Sequence, residues 1–179
     1  MTAETAYPPR SVPIVGWLTF FAAAVLAAST LFGLFWNPSV EQYLLLQKSF
    51  PAEFQSLLDS LISLARYGWY WNWYLLVFFL FLLYASLRFV RFTSPGRKLF
   101  EAACWVGLGT GVVDALISYA LWNRTQESMH QLIAPYGVNA DGLQQLGTLS
   151  IAASLLLWIV PCVGLLVYLR TMSTTHLTP

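Results

Sequence analysis

The chain is short of charge. Asp, Glu, Lys and Arg make up only 9% of its 179 residues, against roughly 25% in a soluble globular protein, which is too few to coat a surface facing water. The shortage is concentrated: residues 11–40, 67–87 and 142–169 hold no charged side chain, and 102–123 holds only Asp114. An uncharged apolar stretch of about 18 or more residues is what a helix needs to cross a hydrocarbon layer ~30 Å thick. Four such windows exclude a soluble enzyme, a nucleic-acid binder and a disordered tail.

Other absences exclude more. The two cysteines, Cys104 and Cys162, both fall inside apolar windows and form no C-x-x-C pair, so neither a disulfide framework nor a loop-borne dithiol relay is expected. The two histidines, His130 and His176, lie outside the windows, so no span offers an axial ligand to haem and no metal-ligand cluster can be assembled at the usual spacing. No cofactor is therefore expected. A nucleophile–base pair, a phosphate-cradling glycine loop and an H-E-x-x-H motif are all missing from the spans. With a net charge of +1 and no long basic run, nothing steers the chain toward nucleic acid.

What is present is apolar. Hydrophobic residues make up 58% of the chain and aromatics 16%, and the windows read as an all-α integral membrane protein. It is a single four-transmembrane-helix bundle over residues 1–179, with spans at about 13–36, 69–87, 102–122 and 146–169. A β-barrel would alternate apolar and polar positions, whereas Leu75–Leu83 is apolar throughout. Span one resembles a signal peptide at Arg10 and Ala27-Ala28-Ser29, but its apolar run continues to Trp36 and exceeds the ~7–15 residues of a signal core. It reads as a retained anchor.

Topology follows from the basic residues. The termini and the 88–101 loop carry Arg10, Arg88, Arg91, Arg97, Lys98 and Arg170, whereas 37–66 and 123–145 carry Lys48, Arg66 and Arg124 among five acids. This bias predicts both termini in the cytoplasm, in a plasma or cell inner membrane, with the two long loops outside. Tryptophan favours the headgroup level because its ring is apolar and its N–H is not. Trp36, Trp69, Trp71, Trp73 and Trp122 fall at the outer boundary so predicted, and Trp17 and Trp105 near the inner one.

The first outer loop, 37–66, is patterned. Asn37-Pro38 reads as a cap and first helical residue leading into Ser39–Lys48. After Pro51, Phe54, Leu57, Leu58, Leu61, Ile62 and Ala65 recur at helical spacing opposite Glu53, Gln55, Ser56, Asp59 and Ser63. The spacing predicts an amphipathic helix, either a lid along the membrane surface or a docking surface for a partner. The second outer loop predicts a short helix over Thr125–Ile133 and a turn at Ala134-Pro135-Tyr136-Gly137, and the tail Thr171–Pro179 reads as mobile. Asn123-Arg124-Thr125 matches a glycosylation acceptor but abuts Trp122 at the membrane edge.

Two constellations stand out on span three. Asp114 lies about eight residues from the outer end, or ~12 Å deep at ~1.5 Å per residue. An acid at the bilayer centre costs about 2.5–3.5 kcal/mol on insertion scales, so it should face the bundle interior. No span contains Lys or Arg, so its partners must be hydroxyls. Depth selects Ser29, Thr30, Ser118, Ser150 and Ser154, with Asn72 and Tyr74 nearer the surface. The second constellation is Ala103, Gly107, Gly111 and Ala115 at four-residue spacing, a small-residue stripe that lets another helix approach closely. Ala23 and Ala27 of span one are its best complement within the chain, and a second copy of the chain is the alternative. Pro161 predicts a bend in span four.

Two classes of function remain. One is a non-catalytic accessory or interaction subunit that binds membrane lipid and another membrane protein, or a homo-oligomer, through the stripe or the outer helices. The other is a small transporter or sensor in which Asp114 binds a proton or ligand. A membrane enzyme acting on lipid or quinone would need His130 or Arg124 folded back over the bundle.

Overall fold

The computed structural model describes residues 11–36, 54–91, 94–133 and 141–175, together with Leu44, Leu45, Lys48 and Pro51. Among these residues the chain is helical, and four helices are long and apolar enough to cross a membrane. They are α1 (Ser11–Trp36), α2 (Gln55–Val90), α3 (Ser94–Ile133) and α4 (Asp141–Thr175). With 36, 40 and 35 residues, the last three are ~50–60 Å long, well beyond the ~30 Å of hydrocarbon. The cap expected at Asn37-Pro38, the turn at Ala134–Gly137 and the tail beyond Thr175, His176 included, lie outside the described residues.

Several segments expected to stand apart from the spans continue them as helix. The amphipathic stretch after Pro51 is no separate lid; it is the first third of α2 and runs unbroken into the span. Likewise 125–133 completes α3, most of the basic segment 88–101 belongs to the end of α2 and the start of α3, and Thr171–Thr175 completes α4. The reason is local. A helix end leaves four backbone groups without partners, and between Gln55 and Val90 there is no proline to force one. The lone Gly68 has open space about it and leaves the hydrogen-bond ladder intact.

The helices pack in chain order, each antiparallel to the next: α1 on α2, α2 on α3, and α3 on α4. Gly16 lies against Val90 and Gly33 near Asn72, Phe89 stacks on Phe100 at 4.6 Å, and the Ser60 and Ser128 hydroxyls sit 3.3 Å apart. At the end of the bundle holding Ser11, α1 also meets α4, where Tyr168 Oη donates to Ser11 Oγ at 2.8 Å. The tightest core lies at that end and draws on all four helices: Val12, Ala85, Phe89, Phe100, Ala103, Cys104, Leu166 and Leu169. Arg97 Nη2 donates to the Leu169 carbonyl at 2.9 Å, near the C-terminus of α4, where the helix dipole favours a cation.

Most large apolar side chains point away from this core, Phe35 being 82% exposed and Leu157 76%. Such a surface suits a hydrocarbon solvent and would be a liability in water. Pro161 lies within α4 and has no N–H to offer the Leu157 carbonyl, yet the helix continues past it to Thr175.

Glycines set how closely α3 and α4 approach. A Cβ on Gly111 would stand 2.5 Å from Trp158 Cβ, and one on Gly107 would stand 2.8 Å from Cys162 Sγ. The small-residue stripe therefore seats α4, in contrast to the expected complement on α1. Ala27 packs instead with Phe78 and Phe79 of α2. The order of the bundle explains the difference, because α3 neighbours α2 and α4 while α1 lies along α2. Gly147 similarly leaves room for the indole of Trp122 to lie across α4.

Because the Trp158 Cβ is fixed to its own backbone, Gly111→Ala must push the two helices apart and should cost about 1–3 kcal/mol. Gly109→Ala, at a glycine with nothing within 4 Å, should be neutral or stabilising. Thermal unfolding of both variants in mild detergent checks the contrast; equal effects would remove α4 from the stripe.

Candidate functional site

Asp114 faces inward, where α2, α3 and α4 meet. Tyr67 Oη of α2 donates to its Oδ1 at 3.3 Å, and Ser154 Oγ of α4 donates to its Oδ2 at 3.4 Å. Ser118, one turn further along α3, also hydrogen-bonds the carboxyl. The two measured bonds are long for O–H···O pairs, which cluster near 2.7–2.8 Å, so the carboxyl is loosely held by several donors. One turn toward the tight core, Tyr74 Oη and Thr110 Oγ1 are 2.7 Å apart. Thr110 directs its own proton to the Val106 carbonyl at 2.8 Å, which makes Tyr74 the donor.

The site rests on two parallel stripes of α3. Gly107 and Gly111 face α4, and Thr110, Asp114 and Ser118 run alongside them at the same four-residue interval. Seating Trp158 on Gly111 brings Ser154, one turn earlier on α4, level with Asp114. On α2, Tyr67, Trp71 and Tyr74 share a face at helical spacing and stack in series, with ring centroids 5.6 Å and 5.1 Å apart. The stack holds both tyrosine hydroxyls toward α3.

The hydroxyls selected by depth divide. Ser118 and Ser154 join Asp114. Thr30 is buried but donates to the Leu26 carbonyl of its own helix at 2.8 Å, and Ser29 and Ser150 are exposed. Depth alone cannot separate these groups, because it specifies height along the bundle and not angle about each helix. Tyr67 and Thr110 were missed. The sequence carried a signal for both, the i, i+4, i+7 spacing of Tyr67, Trp71 and Tyr74 and the i−4 position of Thr110 to Asp114. Reading the tryptophans of this segment as interfacial anchors obscured it.

Trp158 also stacks on Phe79, with centroids 6.1 Å apart and planes 6° from parallel, and contacts Phe78 at 5.7 Å. This aromatic layer separates the Asp114 cluster from an apolar cleft of about 510 Å³ nearer the tight core, to which all four helices contribute. Ala103 lies in its wall, and Cys104 and Cys162 line it as free thiols. Among the described residues no group of three His, Cys, Asp or Glu is placed to hold a metal ion. His130 and Arg124 are exposed on the far part of α3 and do not fold back over the bundle. Thr125, the third residue of the glycosylation triplet, is 5% exposed and donates to the Leu121 carbonyl. Compared with protein-family models, curated proteins and solved structures, the chain matches none.

The geometry makes Asp114 an acceptor for hydroxyls from two neighbouring helices. Tyr67→Phe and Ser154→Ala should each cost about 0.5–1.5 kcal/mol, the usual worth of an interhelical hydrogen bond. In an Asp114→Ala background the same two changes should cost markedly less. A double-mutant cycle in detergent unfolding measures the coupling; full additivity would mean that the hydroxyls do not serve the carboxyl.

Proposed function

We propose that the chain is a non-catalytic, multi-pass accessory subunit of the plasma or cell inner membrane, with both termini cytoplasmic. The continuity of α2 and α3 carries this reading. With exposed Trp69 and Trp73 at the headgroup level, residues 55–68 and 123–133 leave the membrane as extensions of the same rods that span it. At ~1.5 Å per residue they project ~15–20 Å. The two extensions support one another, with Leu58, Ile62 and Thr125 buried and Ser60 beside Ser128. Phe54 and Leu64 stay exposed on them at 37% and 41%, as suits a post that meets the extramembrane part of a partner. The small-residue stripe is occupied within the chain by Trp158 and Cys162, which directs the partner to this post and away from span three.

One observation favours the second reading, a small transporter or sensor. Asp114 reaches hydroxyls on two neighbouring helices, and no Lys or Arg lies in any span. Asp114→Asn separates the readings. An accessory subunit keeps its fold and its partner, because Asn accepts and donates hydrogen bonds at the same place. A proton-coupled device stays folded and loses its response.

The accessory reading predicts that a stoichiometric partner co-purifies in mild detergent with the wild type and with Asp114→Asn. Leu64→Glu should lose that partner while unfolding at the same temperature. Retention of the partner by Leu64→Glu, or its absence from every sample, would overturn the reading. Orientation is tested with cysteines placed in a Cys104→Ala/Cys162→Ala background. A membrane-impermeant maleimide added to intact cells should label Glu127→Cys and spare Arg91→Cys; the reverse pattern would invert the topology.

A further inference from the structure

The accessory reading leaves the cleft beyond Trp158 unused. The cleft opens where α1 and α4, joined at the Ser11–Tyr168 hydrogen bond, do not pack along one another. Its α1 wall runs from Leu18 to Leu26, about 10–22 Å along the helix from Ser11 at ~1.5 Å per residue, and so lies at hydrocarbon depth. The tight four-helix core closes one end and the ring of Trp158 the other.

We propose that this cleft holds one acyl chain of a bilayer phospholipid as a resident ligand. The proposal depends only on the chain crossing a membrane and not on the accessory role. Two observations narrow the occupant. Water is poorly held, because the one hydroxyl in the wall, that of Thr19, already donates to the Val15 carbonyl at 2.9 Å and is left able only to accept. A water would need two to four polar partners. A partner's transmembrane helix is too wide to enter whole and could present only one face to the open cleft. A helix ~10 Å across would bring on the order of 1,000 Å³ to a cleft of this length, about twice the 510 Å³ present. An acyl chain fits both tests. A methylene group takes nearly the space of a water molecule, ~30 Å³, so the cleft accommodates roughly fifteen to twenty of them, one fatty-acyl tail. With the tail there, the headgroup lies at the Ser11 end, level with exposed Arg170, which offers a phosphate a cation.

Gly164 supplies the test. It lines the cleft and has no atom within 4 Å of a Cβ built on it, and Gly109, outside the cleft, is equally open. Gly164→Leu therefore adds bulk at the cleft wall from a Cβ that meets no neighbour, and Gly109→Leu makes the same change elsewhere. Wild-type protein and both variants are reconstituted in phosphatidylethanolamine–phosphatidylglycerol vesicles, extracted into mild detergent and weighed by native mass spectrometry. Wild type and Gly109→Leu should each retain one phospholipid, and Gly164→Leu should retain at least fivefold less while unfolding at no lower a temperature. A photoactivatable mid-chain diazirine phospholipid in the same vesicles should label the 157–165 segment in the wild type and Gly109→Leu, with at least fivefold less labelling in Gly164→Leu. Equal lipid retention by all three proteins, no retention by any, or cleft labelling unchanged by Gly164→Leu would overturn the proposal.

Discussion

The contact on which the rest depends is the seating of Trp158 against the bare backbone of Gly111. In lipid there is no hydrophobic drive to press one apolar helix against another, so close approach must come from shape. The missing Cβ at Gly111, and at Gly107 one turn away, lets α4 settle onto α3. That contact fixes the rotation and height of α4. It thereby decides which α4 side chains face inward and which face lipid.

Two consequences follow from the one contact. Toward the far end, Ser154 arrives beside Asp114 and, with Tyr67 from α2, surrounds the carboxyl with donors. Toward the Ser11 end, the indole lies flat on Phe79 and lines the end of the apolar cleft. A polar cluster and an apolar cavity thus share a single aromatic wall. Their separation keeps the carboxyl away from the apolar cleft, where an acid is costly. The same indole links the two halves of the molecule mechanically, because moving it disturbs both.

The candidate site was partly legible in the residues. Asp114 stood out because a single acid in a 22-residue window has no other way to be accommodated than by facing protein. Ser118 and Ser154 were reachable by counting depth. Tyr67 was not singled out, because a tyrosine beside three tryptophans has a complete explanation as an interfacial anchor. Only the packing of α2 on α3 turns its hydroxyl inward. Ser29, Ser150 and Thr30 show the converse failure: selected by depth, they are exposed or bond to their own helix.

The sequence by itself determined that the chain consists of four apolar helices, because the alternative is unpaired backbone in hydrocarbon and the windows lacking charge leave no other solution. It also determined that one of them must carry a seam of small residues beside a lone carboxyl. The tertiary structure decided which helix occupies that seam, which hydroxyls reach Asp114, and that a cleft remains between α1 and α4. It also decided that the amphipathic segment continues α2. Helical periodicity constrains which residues share a face but not what that face meets. The partner of a face is set by steric fit among all four helices at once, and no single segment encodes it.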